Sequence, residues 1–195
     1  IQGNILMIDV WSLPQSICIN GQECAIRSDF RAILDILSAY NDSQFNDQEK
    51  TMIMLKIFYK DKIHIGCLRE ACDKAIEFID YSFEDSKKRK AHKLMDWNQD
   101  APILIPAINK VAGREIRSIP YLHWWTFMSL YMEIGEGLYS QVINIRNKKS
   151  KGKKLEKWEK EFYQSNKKLV DLKVRKAERS EEEKEALREL LGIKK

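Results

Sequence analysis

The sequence predicts a mainly α protein: a helical bundle with a small N-terminal β-hairpin/extended element and charged C-terminal helices. Three observations predict it. Apolar residues recur at helical spacing through most of the chain. One strong hairpin signal, Asn20-Gly21, lies near the N-terminus between two short extended runs. The C-terminal part is rich in charge yet still carries helically spaced apolar residues. Hydrophobic residues make up 44% and aromatics 10% of the 195 residues, which is enough to build a core and excludes an intrinsically disordered chain. Eight glycines and four prolines exclude collagen-like and low-complexity classes.

Ile5–Trp11 reads as extended. Ser16–Ile19 and Gln22–Ile26 flank the Asn20-Gly21 turn, so Ile19 faces Gln22, Cys18 faces Glu23 and Ile17 faces Cys24. Cys18 and Cys24 then lie on opposite faces and cannot bridge, and Cys67 and Cys72 are five apart on a helix. All four cysteines are expected to be reduced thiols, as in a cytosolic protein. Ser28 or Asp29 caps a helix carrying Phe30, Ile33, Leu34 and Leu37. Asn46 or Asp47 starts a second, whose apolar residues Met52, Ile53, Leu55, Ile57 and Phe58 go nearly all round, which places it centrally. Leu68, Ala71, Cys72, Ala75, Ile76 and Ile79 form a third stripe, with Asp73, Glu77 and Asp80 on its solvated face. Asp100 is expected to cap a helix with Pro102 in its first turn, a kink at Pro106 and a stop at Gly113. Ser118 and Pro120 open the most aromatic segment, Tyr121-Leu122-His123-Trp124-Trp125-Thr126-Phe127-Met128, which Gly135 and Gly137 end. Leu138, Val142 and Ile145 support a short helix, and Leu155–Lys176 and Ser180–Leu191 are helical and strongly charged.

The charge divides the chain. Residues 1–146 hold 17 Lys and Arg against 19 Asp and Glu, and residues 147–195 hold 17 against 10. The boundary is the polar run Asn147-Lys148-Lys149-Ser150-Lys151-Gly152-Lys153-Lys154, expected to be solvated and flexible. The predicted organisation is a helical body with the hairpin in 1–146, and a basic linker with a charged helical appendage in 147–195. A smaller basic run, Lys87–Lys93, marks a loop within the body. No stretch is apolar and long enough to span a membrane: the longest candidate, Ile119–Ile134, is interrupted by His123, Thr126, Ser129 and Glu133. The N-terminus does not read as a secretory signal, since no basic residues precede Ile5–Val10.

No catalytic constellation, metal site or cofactor motif is expected. The histidines are His64, His92 and His123, none within H-E-x-x-H, and no C-x-x-C pair occurs. His64, Cys67 and Cys72 lack a fourth ligand and the usual spacing. There is no phosphate loop, dinucleotide fingerprint or nucleophile elbow. Trp124-Trp125 has two readings. Adjacent helical residues point about 100° apart, so either both rings pack inside the protomer or one of them meets a partner as an interface anchor. His123 reads as a hydrogen-bonded structural histidine. The basic segment 148–176, with 12 Lys and Arg against 4 Asp and Glu, suits docking on the chain's own body or an acidic protein partner, with nucleic acid the lesser alternative together with Lys87–Lys93. Trp158, Phe162, Leu169 and Leu172 argue against a purely solvated helix.

At Asp100-Ala101-Pro102-Ile103-Leu104 and Ile119-Pro120-Tyr121-Leu122-His123-Trp124-Trp125-Thr126-Phe127 the sequence resembles the bacteriophage gene-product-fifteen family, encoded next to the tail tape-measure protein. The hairpin Ile17–Ile26, Ser28-Asp29-Phe30-Arg31 and Val142-Ile143-Asn144-Ile145-Arg146 share the likeness, which spans roughly residues 4–175. The resemblance implies a non-enzymatic tail-assembly factor or chaperone that keeps the tape-measure protein soluble in the host cytoplasm and is absent from the mature virion. A structural component of the tail is the other reading, and homo-oligomerisation is open. The expected partner-binding residues are Tyr121, Trp124, Trp125, Phe127, Met128 and Tyr131, which meet apolar helical stripes, and Lys148, Lys149, Lys151, Lys153, Lys154 and Trp158, which meet acidic faces.

Overall fold

The architecture comes from a computed structural model, which describes residues 11–80 and 93–173, with Ser180, Glu182, Glu185, Ala186 and Glu189 beyond them. Its described residues are mainly helical, with one two-stranded antiparallel sheet. Ile5–Val10 of the predicted extended segment, all of the basic loop except Lys93, the end of Leu155–Lys176 and most of Ser180–Leu191 lie outside the described residues; Glu182, Glu185, Ala186 and Glu189 are helical.

The chain forms two compact units. The described part of the first is residues 11–80 and 121–126, with Ser180, Glu182, Glu185, Ala186 and Glu189. Strands β1 (Ser16–Ile19) and β2 (Gln22–Ala25) pair with Ile19 opposite Gln22 and Ile17 opposite Cys24, the predicted register. Asn20 and Gly21 both have positive φ, 49° and 78°, as a two-residue hairpin turn requires. Helix α1 (Phe30–Tyr40) starts at Asp29, whose carboxylate accepts the Arg31 N–H. Helix α2 (Asp47–Phe58) starts with a reciprocal box: the Asn46 side chain accepts the Glu49 N–H and the Glu49 carboxylate accepts the Asn46 N–H. After a 3-10 turn at Ile65–Cys67 comes α3 (Leu68–Asp80). Its solvated face is as expected, with Asp73, Glu77 and Asp80 exposed. Its apolar stripe differs, since Phe78 is buried and Ile76 half-exposed. The core gathers Ile17, Ile33, Ile53, Phe58 and Phe78, with the Phe58 and Phe78 rings 5.2 Å apart edge to face.

The described part of the second unit is residues 93–120 and 127–173. Helix α4 (Trp97–Ala112) begins a turn earlier than expected. Asp96 is the cap, accepting the Asn98 and Gln99 N–H groups, while Asp100 lies inside the helix and is fully buried. Gly113, at φ 66°, ends α4 as predicted. Helix α5 (Trp124–Met132) begins in the first unit and continues here. Helix α6 (Leu138–Ser150) is longer than expected and takes in Asn147–Ser150. The predicted flexible run is instead a helix end: Gly152, at φ 63°, donates to the Lys149 carbonyl and Lys153 to the Lys148 carbonyl, which is the Schellman pattern.

The expected long C-terminal helix is two short ones, α7 (Lys157–Ser165) and α8 (Lys167–Val170). Asn166 breaks it, with φ −127° and its side-chain amide donating to the Phe162 carbonyl, a local bond that competes with the helix ladder. The break turns Val170 inward to join Val142 and Ile145 in a buried cluster, against which Leu155 and Phe162 pack. Residue 146 is therefore not a structural boundary, because the residues on either side of it share one core.

Candidate partner-binding surface

The aromatic segment is held by strand-like pairing. The Phe30 N–H donates to the Leu122 carbonyl (3.0 Å) and the Trp124 N–H to the Ser28 carbonyl (2.7 Å). The Asp29 carboxylate accepts the Leu122 N–H at 3.0 Å. This drives both tryptophans inward, to 2% and 3% exposure. The Trp124 indole N–H donates to the Ile79 carbonyl (2.9 Å) and that of Trp125 to the Phe78 carbonyl (3.0 Å). These are among the last carbonyls of α3, which have no partner within the helix. The Trp-Trp pair therefore closes the end of α3, and the Trp125 ring stacks on Phe78 at 5.2 Å.

The expectation of an aromatic docking face at Tyr121–Tyr131 is corrected by this burial. Trp124, Trp125, Phe127 and Met128 are core residues. Tyr131 is half-buried, its hydroxyl 3.0 Å from that of Tyr139 and donating to the Met95 sulfur. Only Tyr121 keeps much exposure, 45%, with its hydroxyl 2.7 Å from that of Ser28. His123 is structural: its Nδ1 accepts the Trp125 N–H at 3.1 Å, and its Nε2 donates to the Pro14 carbonyl at 3.1 Å. Burial pushes its pKa below the usual range, against the pull of the Pro14 carbonyl.

The lysines divide into two groups. Lys148 is held by Glu159 at 2.7 and 2.8 Å, an interaction that pulls the Glu159 carboxyl below its usual range. Lys149 pairs with Asp171 at 2.7 Å and lies 3.6 Å above the Tyr163 ring. Lys151, Lys153 and Lys154 are exposed on the Schellman turn and pair with no carboxylate among the described residues. Nor do the exposed Lys157 and Lys160 of α7. Trp158, beside them, is 55% exposed.

Two features of this unit were not anticipated. The first is a buried ion pair. Arg146, 6% exposed, donates to both Asp100 oxygens (2.7 and 2.8 Å) and to the carbonyls of Leu94, Leu169 and Val170 (3.0, 2.9 and 2.6 Å). Five bonds use its full donor set. The signal was present: Asp100 precedes Leu104 by four and Arg146 follows Val142 by four, so each continues an apolar stripe. The second is a groove of about 420 Å³ between α4 and the loop before α6. Pro102, Pro106 and Val111 of α4, with Ile134 and Leu138, give it apolar walls, and Lys110, Glu133 and Glu136 are its charged lining groups. The two prolines are four apart and share a face. Neither has an N–H, so the carbonyls of Asn98 and Pro102 lose their helical donors.

Among the described residues no cluster of His, Cys, Asp or Glu is placed to hold a metal ion, and the four cysteines are free. No described helix is long and apolar enough to cross a membrane. Residues 10–172 match the family described as Bacteriophage Gp15 protein. The chain belongs to that family. The match spans the hairpin, the Trp-Trp pair, the groove and the lysine turn, so every feature described above is family territory, while the charged stretch from 173 onward lies outside it. No curated protein and no solved structure matches the chain.

Proposed function

We propose that this phage protein is a non-enzymatic tail-assembly factor that binds the tape-measure protein and keeps it soluble in the host cytoplasm, leaving before the virion is complete. Membership of the Gp15 family carries the reading. The contact surface follows from what remains exposed. With Trp124 and Trp125 in the core, client capture falls to the Schellman-turn lysines, which pair with no carboxylate among the described residues, and to the second unit's exposed apolar positions. Lys151, Lys153 and Lys154 face water on a defined turn, so an acidic helical client meets fixed charge at little ordering cost. A long client offers many such sites in series, and multivalency compensates for weak single contacts.

Coexpression with a fragment of the neighbouring tape-measure protein tests this. The fragment is expected to become more soluble and to co-purify. Absence of a complex, with both partners soluble alone, overturns it. The same exposed lysines favour a second reading, nucleic-acid binding, which predicts DNA or RNA affinity falling steeply with salt. Salt-insensitive non-binding removes that reading.

A further inference from the structure

The groove and Trp158 sit toward opposite ends of α6. Leu138, the first residue of α6, lines the groove. At the other end Lys148 holds Glu159, the residue after Trp158. Trp158 is not among the residues that line the groove of its own chain. The two features are nonetheless complementary. One is an apolar slot with two proline rings, whose lining holds Glu133 and Glu136 against Lys110. The other is a projecting indole on a surface where Lys154, Lys157 and Lys160 outnumber Glu156 and Glu161. Aromatic rings and proline faces pack flat against one another, and tryptophan is among the residues enriched at interface hot spots.

We infer that a second copy of this chain occupies the groove, seating its Trp158 between Pro102 and Pro106 while its Lys154 and Lys157 meet Glu133 and Glu136. The contact is heterologous, since the groove and the indole are different surfaces of each copy. It propagates head to tail, closing into a ring or running on as an open row. Such a row lays successive lysine turns along one long partner. The inference does not depend on the identity of that partner.

Light scattering of the purified full chain across a concentration series tests it. The wild type is expected to self-associate as concentration rises. Trp158→Ala should weaken association roughly 30-fold, the loss of a tryptophan hot spot. It should leave the melting temperature near wild type, because the ring is already largely exposed. Glu133→Lys/Glu136→Lys and Lys154→Glu/Lys157→Glu should each be monomeric alone, and a mixture of the two should associate again, since each then offers the charge the other needs. A wild type that stays monomeric at millimolar concentration, association untouched by Trp158→Ala, or no recovery on mixing overturns the inference. Tape-measure co-purification, read separately on the Glu133→Lys/Glu136→Lys variant, should persist. Its loss in the wild type would strike the assembly role and leave self-association standing.

Discussion

His123 donates from Nε2 to the Pro14 carbonyl and accepts at Nδ1 from the Trp125 N–H, so the ring is held in one neutral tautomer. A second proton on Nδ1 would set a donor against a donor at the start of α5. Burial lowers the folded-state pKa below the unfolded value of about 6.5. The unfolded chain therefore binds the proton first, and the stabilisation is complete above the unfolded pKa and lost as pH falls through the folded one. The urea midpoint is expected to drop as pH falls below about 6.5, the unfolded value. His123→Asn keeps a capping acceptor and removes the titration, so its midpoint should be flatter over that range. An equal slope in both proteins would refute the assignment. The neighbouring indoles show what a residue pattern can and cannot reveal. Trp124-Trp125 announced that two large rings must be accommodated. That both face inward depends on the Ile79 and Phe78 carbonyls, 45 and 47 residues away, and no local spacing encodes a pairing at that separation.

Elements were most legible where their signals are local. Asn20-Gly21 set the hairpin register, and Asp29 and Asn46 set the starts of α1 and α2, because each acts within a few residues of itself. Asp100 misled for the opposite reason. As an acidic residue ahead of a proline it reads as a cap, but Asp96 caps α4 and Asp100 is drawn inside to meet Arg146, 46 residues away. That pair ties α4 and α6 to the α8 carbonyls of Leu169 and Val170. A buried ion pair is costly to break on one side, because the remaining charge stays desolvated. Asp100→Leu and Arg146→Met should each cost about 3–5 kcal/mol. The double variant should cost less than the two losses added together, since no lone charge is left behind. Denaturant unfolding of all four proteins closes the cycle, and additive losses would show that the two residues are not coupled.

For the whole molecule, helical periodicity and one turn signal were enough to place the class, whereas the charge step at residue 146 suggested a division that packing does not follow. Charge records where water is, and a basic segment can still bury Val170 and half-bury Leu155 and Phe162 against Val142 and Ile145. The lysines of residues 148–154 accordingly have two fates, and substitution separates them. Lys148 neutralises Glu159, a carboxylate buried in the second unit. Lys148→Met strands that charge and is expected to lower the thermal midpoint. Lys151, Lys153 and Lys154 neutralise nothing among the described residues, so changing all three to Gln should leave the midpoint near wild type. If those three carry the contact to an acidic client, the triple variant should bind a tape-measure fragment more weakly and with a shallower salt dependence, because fewer screened charges take part. Titration of the fragment at two ionic strengths measures both effects. A triple variant that binds with wild-type affinity and wild-type salt dependence would move the client contact off the Schellman turn.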